Sequence, residues 1–150
     1  MAQSLSNILL HIVFSTKNRR PWIDTSIERE LFKYLATACN TLDCPSHGIG
    51  GADDHIHIAC SLSRTVTVSK LVQELKQDSS KWIKTKGERL ADFSWQNGYG
   101  AFSIGQSQLA DLRGYIATQR EHHRRISYQD EYRRICEKYG VPIDERYVWD

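Results

Sequence analysis

Ile8-Leu9-Leu10-His11-Ile12-Val13-Phe14-Ser15 is the stretch on which the arrangement of the whole chain turns. An apolar run this short, bounded by polar residues, fits a strand covered on both faces better than a short helix, and predicts the middle of a sheet. It is also the longest apolar run, far below the roughly 20 residues a membrane helix needs, which excludes a membrane span. Met1 to Asn7, just before it, lacks the positive cluster, apolar stretch and small-residue cleavage site of a secretory signal. A cytoplasmic location is the expectation.

Working outward, Thr25 with Glu28 three positions on makes a capping-box pattern, and Ile27, Leu31, Tyr34, Leu35 and Ala38 then recur at helical spacing. Cys44 to Gly50 and His55 to Leu62 read as antiparallel strands joined by Gly51-Ala52-Asp53-Asp54. Thr67 caps a second helix with Val68, Leu71, Val72, Leu75, Trp82 and Ile83 on its apolar face, and Lys70, Gln73, Gln77, Lys81 and Lys84 opposite. Phe93 to Ile104 reads as one strand broken near Gly98-Tyr99-Gly100. Ser107 opens a third helix, and a final helix from Tyr128 to Tyr139 is stopped by Gly140 and Pro142. This order is an α+β split β-α-β plan (ferredoxin-like, RRM-like): an antiparallel sheet with helices on one face and extra C-terminal helices. With 40% hydrophobic and 25% charged residues, the expectation is a single domain over residues 1–150.

Twenty Lys and Arg against 18 Asp and Glu leave a formal charge of +2, too weak to announce a nucleic-acid partner by itself. The positive charge concentrates between residues 61 and 95, where 7 basic side chains face 4 acidic ones. Cys39, Cys44, Cys60 and Cys136 lack the short spacing of a zinc site and are too few for a disulfide scaffold, so they read as reduced and structural.

Side chains alternate along a strand, so His55 and His57 project together while Ile56, Ile58 and Cys60 enter the core. Two imidazoles on one point can grip a divalent metal; two histidines on an exposed strand face fit the same spacing. On the third helix Tyr115 and Gln119 are four apart and therefore neighbours, and no other tyrosine has Gln, His, Asp or Glu four residues later. Gln119 can offer an amide oxygen and Tyr115 a hydroxyl, although an aromatic residue on a helix also serves as core. His122 and His123 follow Gln119 at helical spacing, where either can reach a metal or a phosphate, and read first as solvated residues at a helix end; His11 reads as a hydrogen-bonded core histidine and His47 as structural.

His55-Ile56-His57 on a strand, with Tyr115-Ile-Ala-Thr-Gln119 about sixty residues later on a helix, resembles the single-tyrosine HUH transposases of the insertion sequence 200/605 kind. The similarity extends through His11-Ile-Val-Phe-Ser-Thr-Lys17, Ser79-Ser80-Lys81-Trp82-Ile83, Trp95 to Ser103, and Gln119 to His123, nearly the whole chain. The resemblance implies a homodimer that cuts single-stranded DNA at transposon ends, recognises a subterminal hairpin, and uses Mg²⁺ or Mn²⁺. It also implies that His55, His57 and Gln119 are the metal ligands and Tyr115 is the nucleophile that forms a 5′-phosphotyrosine link. The tyrosine helix of one subunit can complete the histidine site of the other in such enzymes.

That chemistry is sensible on its own terms. A phenol with pKa of about 10 is only about 0.1% ionised at neutral pH, so attack on a phosphate calls for a metal that polarises it. Two imidazoles, an amide oxygen and substrate oxygens suit Mg²⁺ or Mn²⁺. A polyanionic substrate makes Arg19, Arg20, Lys70, Lys81, Lys84 and Lys86 candidates for the DNA backbone, with Trp22 or Tyr99 for stacking on an unpaired base. A solvated lysine face accounts for the same cations, and a buried Trp22 cannot stack. The rival readings are a non-catalytic RRM-like nucleic-acid-binding module, suggested by Gly98-Tyr99-Gly100-Ala101-Phe102, and a domesticated REP-associated tyrosine transposase.

Overall fold

The computed structural model describes residues 2–150, which leaves Met1 outside the described residues. Leu9–Ser15 forms strand β1 with all seven residues buried. The remaining strands are β2 (Ser46–Ala52), β3 (His55–Ser61) and β4 (Gly100–Ile104), and the sheet is antiparallel in the order β2-β3-β1-β4. The apolar run is therefore an inner strand, as its composition requires. The helices are α1 (Glu28–Thr41), α2 (Val68–Ile83), α3 (Leu109–Ala117), α4 (Gln119–His122) and α5 (Tyr128–Lys138). Among the described residues, no helix is long and apolar enough to cross a membrane.

Strand alternation divides the sheet into two unlike faces. Leu10, Ile12 and Phe14 of β1 join Ile56, Ile58 and Cys60 of β3 beneath α1 and α2, whose Leu31, Leu35, Leu71 and Leu75 are fully buried there. Burying each such side chain stabilises the fold by about 1.5–3 kcal/mol. On the opposite face, Val13 and Phe102 pack with Tyr128, Tyr132, Ile135 and Cys136 of α5. The C-terminal helices thus cover the second face, which is why β1 is buried on both sides. The split β-α-β plan is as expected, but Phe14 and Phe102 lie under helices rather than on an open sheet and so cannot stack on a base.

Thr67 caps α2 as expected, accepting the Lys70 N–H at 3.1 Å. Ser127 does the same for α5, and Gly140, at φ +67°, ends that helix in the left-handed region. The Thr25–Glu28 capping box does not form. Asp24 Oδ1 instead accepts the Ser26 N–H at 2.9 Å, its carbonyl accepts from Glu28, and α1 begins only at Glu28. Phe93 to Gly98 is not strand either, apart from an isolated bridge between Thr16 and Trp95. Lys76 Nζ donates to the carbonyls of Gln96, Asn97 and Gly98 at 2.8, 3.1 and 2.6 Å, and turning three successive carbonyls to one ammonium departs from the alternation a strand requires.

Candidate active site

The hairpin turn Asp53-Asp54 places His55 at the start of β3, and alternation carries His57 to the same face, directed at α3, α4 and α5. Both imidazoles are fully buried, which removes the exposed-strand alternative. Each has Nδ1 engaged: His55 with Asp54 Oδ1 at 2.8 Å, and His57 with His11 Nε2 at 2.7 Å. Each has Nε2 turned to a common point. His55 Nε2 lies 2.9 Å from Gln119 Oε1, and His57 Nε2 lies 2.9 Å from Glu131 Oε1.

Glu131 is the centre of the arrangement. Its Oε1 is also 3.5 Å from His55 Nε2 and 3.0 Å from His123 Nε2, while its Oε2 accepts the Gln119 amide N–H at 3.0 Å and the Tyr115 hydroxyl. With His122 Nε2 at 3.5 Å from Oε2, one carboxylate therefore touches the phenol, the amide and four imidazoles. Nothing in the motif spacing points to it. The signal that was present lies in α5, where Tyr128, Tyr132, Ile135 and Cys136 form the buried stripe and Glu131 falls within it. A carboxylate on an apolar stripe demands partners.

Small residues and one arginine bring these elements together. A Cβ on Gly50 of β2 would lie 2.4 Å from the Ile116 carbonyl oxygen, so glycine lets α3 approach the sheet and seat Tyr115 beside His57. A Cβ on Gly100 would come within 2.6 Å of the Tyr132 hydroxyl, so the same device seats α5. The chain breaks at Thr118 between α3 and α4, so Tyr115 and Gln119 do not share one continuous helix as the spacing predicts. They converge on Glu131 nonetheless, and Arg120 fixes the second segment. Its guanidinium donates to Glu28 Oε2 at 2.6 Å, Asp53 Oδ1 at 2.5 Å and the Ile23 carbonyl at 2.8 Å.

The donor set fits a divalent cation. Asp54 Oδ1 engages His55 Nδ1, so Nε2 is the ring atom turned toward Gln119 and Glu131. Gln119 gives its N–H to Glu131, so its oxygen is what faces His55 Nε2. His55 Nε2 and Gln119 Oε1 stand 2.9 Å apart, which matches the spacing of about 3 Å between neighbouring donors on an ion with bonds of about 2.1 Å. His123 Nε2 is likewise buried without a hydrogen-bond partner, because its approach to Glu131 is misaligned. His55, His57, His123 and Glu131 each offer one donor atom, all within 4.8 Å of one another. Because an imidazole can both donate and accept, His11 pairs with either tautomer of His57, including the one whose Nε2 is bare.

Burial lowers His57 to about 4, with Glu131 opposing, and lowers His11 to about 3, with His57 adding to the effect. Both rings are neutral at pH 7. Burial pushes the Glu131 carboxyl up, but His123 and His57 beside it outweigh that and hold it far below the usual carboxylate range. Burial, and then Glu131, push the Tyr115 phenol well up, so it is protonated at rest.

The predicted site residues divide in two. Tyr115, Gln119, His55 and His57 meet within one chain. His11 is the hydrogen-bonded buried residue expected, but its partner is His57, so it belongs to this cluster. His123 is half-buried against Glu131 rather than solvated, and His122 Nε2 is 3.5 Å from Glu131 Oε2. The structure does not bring the predicted cations to this cluster. Lys70, Lys81 and Lys84 belong to α2 and its end, which cover the other face, and Lys70 and Lys86 pair with Glu74 and Glu30. Arg19 donates to the Trp149 carbonyl, and Arg20 lies over Trp22, which is buried against Phe93 and so excluded from base stacking. Tyr99 keeps 37% exposure. All four cysteines are free and buried, and burial pushes Cys39 up to about 12, which suits structural thiols.

The model of the family "Transposase IS200 like" matches residues 4–119, a stretch that stops short of His123 and Glu131. No curated protein matches the chain. Among solved structures, a protein from Deinococcus radiodurans R1 assigned as a transposase is similar with a TM-score of 0.63 at 15% identity, over 80% of this chain and 96% of that one. A REP-associated tyrosine transposase bound to a REP hairpin is similar with a TM-score of 0.55 at 13% identity, over 79% of this chain and 72% of that one. At such identities these likenesses speak for the fold alone, whereas the family match spans most of the chain. The chain belongs to the IS200-like transposase family.

Proposed function

We propose that this transposase cuts and rejoins single-stranded DNA through a covalent bond between Tyr115 and a 5′ phosphate, with His55, His57 and Gln119 holding Mg²⁺ or Mn²⁺. The observation that carries the reading is the meeting of the Tyr115 hydroxyl, the Gln119 amide and both imidazoles on Glu131. Glu131 Oε1 completes the ligand set, and its Oε2 faces the phenol.

When bound, the cation supplies positive charge to the oxygens of the scissile phosphate. The chain's own groups do the rest. Asp54 and His11 hold the two imidazoles in orientation. Arg120 holds Gln119 through the β2–β3 turn. Tyr115 is kept protonated and hydrogen-bonded, so its proton has a defined acceptor. As the Tyr115 oxygen bonds to phosphorus, its proton passes to Glu131 Oε2, the P–O3′ bond breaks, and the departing 3′ oxygen takes up that proton from Glu131. The depressed pKa of Glu131 means that it holds the proton only in passing. Rejoining reverses the step: a 3′ hydroxyl attacks the phosphotyrosine and the phenolate leaves, without ATP.

The REP-associated structure carries a bound hairpin in the same fold, which supports a DNA hairpin as the recognised element here. The reading includes a homodimer in which each chain carries a complete site. The test is incubation with single-stranded oligonucleotides from the ends of the flanking element, with Mg²⁺, followed by a denaturing gel. Wild type should give a protein–DNA adduct, abolished by EDTA, and Tyr115→Phe should give none while still binding the hairpin. An undiminished adduct with Tyr115→Phe would refute the nucleophile.

A further inference from the structure

We infer that the cleft beside Tyr115 is a binding site for one unpaired nucleotide of the substrate strand, with Arg134 and Lys138 of α5 holding its phosphate. This rests on the reading of Tyr115 as the group that attacks DNA. The cleft encloses about 410 Å³, with Tyr115, His11 and Glu131 on one side and Leu112, Ile135 and Tyr139 as its apolar wall. That volume is near the lower end of the range of about 300–1,000 Å³ for small-ligand sites, which suits one nucleotide.

The charges are disposed for a phosphate. Arg134 and Lys138 are one helical turn apart and share the face of α5 that carries Glu131 and Ile135. Among the described residues, neither makes a hydrogen bond or salt bridge; Lys138 only lies near the Tyr139 ring. Arg133, one position away, is by contrast tied to Asp130 and Glu145 at 2.9 and 2.7 Å. So α5 neutralises the arginine facing away from the cleft and leaves free the two cations that line it. Asp111 is the one exposed acid on the lining. The Arg134 charge also reaches the Tyr115 phenol, where it opposes the rise caused by burial. The lysines of α2 lie on the other side of the sheet and have no path to Tyr115.

Fluorescence anisotropy with a labelled oligothymidine of roughly 15 nucleotides, in EDTA over a range of salt, tests the assignment. Arg134→Ala with Lys138→Ala should weaken binding at least about tenfold and lower the slope of log affinity against log salt by about 0.7, the value for one neutralised phosphate of a single strand. Arg134→Lys should restore most of the slope. Lys81→Ala with Lys84→Ala should leave both quantities unchanged. Unchanged affinity and slope in the α5 double variant, or a larger loss in the α2 pair, would overturn the assignment. Adduct formation separates this from the parent reading. If wild type forms no Tyr115 adduct while the α5 variants still lose binding, the chemistry fails and the cleft stands. If the adduct forms and the α5 variants bind normally, the cleft fails and the chemistry stands.

Discussion

On β1, Leu10, Ile12 and Phe14 enter the apolar packing beneath α1 and α2, while His11, set between two of them, enters the polar cluster beneath α3 to α5. On β3, Ile56 and Ile58 go one way and His55 and His57 the other. The first face buries side chains that need no partner. The second buries three histidines, a glutamine and a glutamate, each of which does. Period-two alternation lets one pair of strands supply both, so the apolar face holds rigid the backbone from which the donor atoms project. The two faces should therefore respond differently to substitution.

The largest effect on folding belongs to the apolar face. Phe14 is fully buried and edge-on to Trp95 at 4.9 Å, so Phe14→Ala should cost about 3–5 kcal/mol in urea unfolding. A cost below about 1 kcal/mol would show that this face does not carry the stability assigned to it. Next comes the spacing between sheet and α3. Gly50→Ala forces a Cβ against the Ile116 carbonyl and should cost about 1–3 kcal/mol. Its larger consequence should be on adduct formation, because relief of the clash moves Tyr115 away from His57. Full activity in Gly50→Ala would show that α3 has freedom the packing denies it.

The smallest effect sharpens the contrast through pH. His11 and His57 sit well below the ordinary imidazole range, so the folded chain leaves them neutral where the unfolded chain protonates them. Their contribution is present above about pH 6.5 and is lost as pH falls toward the folded values, by about 2 kcal/mol for each imidazole between pH 6.5 and 5. His123, held above its ordinary value by Glu131 despite burial, works in the opposite sense. Comparing wild type with His11→Gln in EDTA cancels it. The variant should lose about 2 kcal/mol less stability over that interval, and parallel curves would place His11 outside the buried cluster.

The elements that were legible in the sequence are those fixed by local chemistry. The Ile8–Ser15 run predicted an inner strand, Thr67 a cap, Gly140 a stop, and the alternation at His55 and His57 one shared face. Less legible were features that depend on distant partners. Gln96 replaces a strand neighbour by accepting the Ser15 N–H on its side-chain oxygen at 2.8 Å, which no propensity at Phe93 to Gly98 records. Lysine enrichment in α2 gives a count of charges but not the side of the sheet they occupy. Glu131 stood out only as an acid on an apolar stripe, and its meaning depended on α5 being folded over the histidines.

The claim on which everything turns is that the polar face is a metal centre in contact with the Tyr115 phenol. Electron paramagnetic resonance of Mn²⁺ titrated into the protein addresses it directly. The account predicts one Mn²⁺ bound per chain, lost in His57→Ala and sharply weakened in Glu131→Gln, with circular dichroism showing both variants folded. Undiminished Mn²⁺ binding in folded His57→Ala would contradict it.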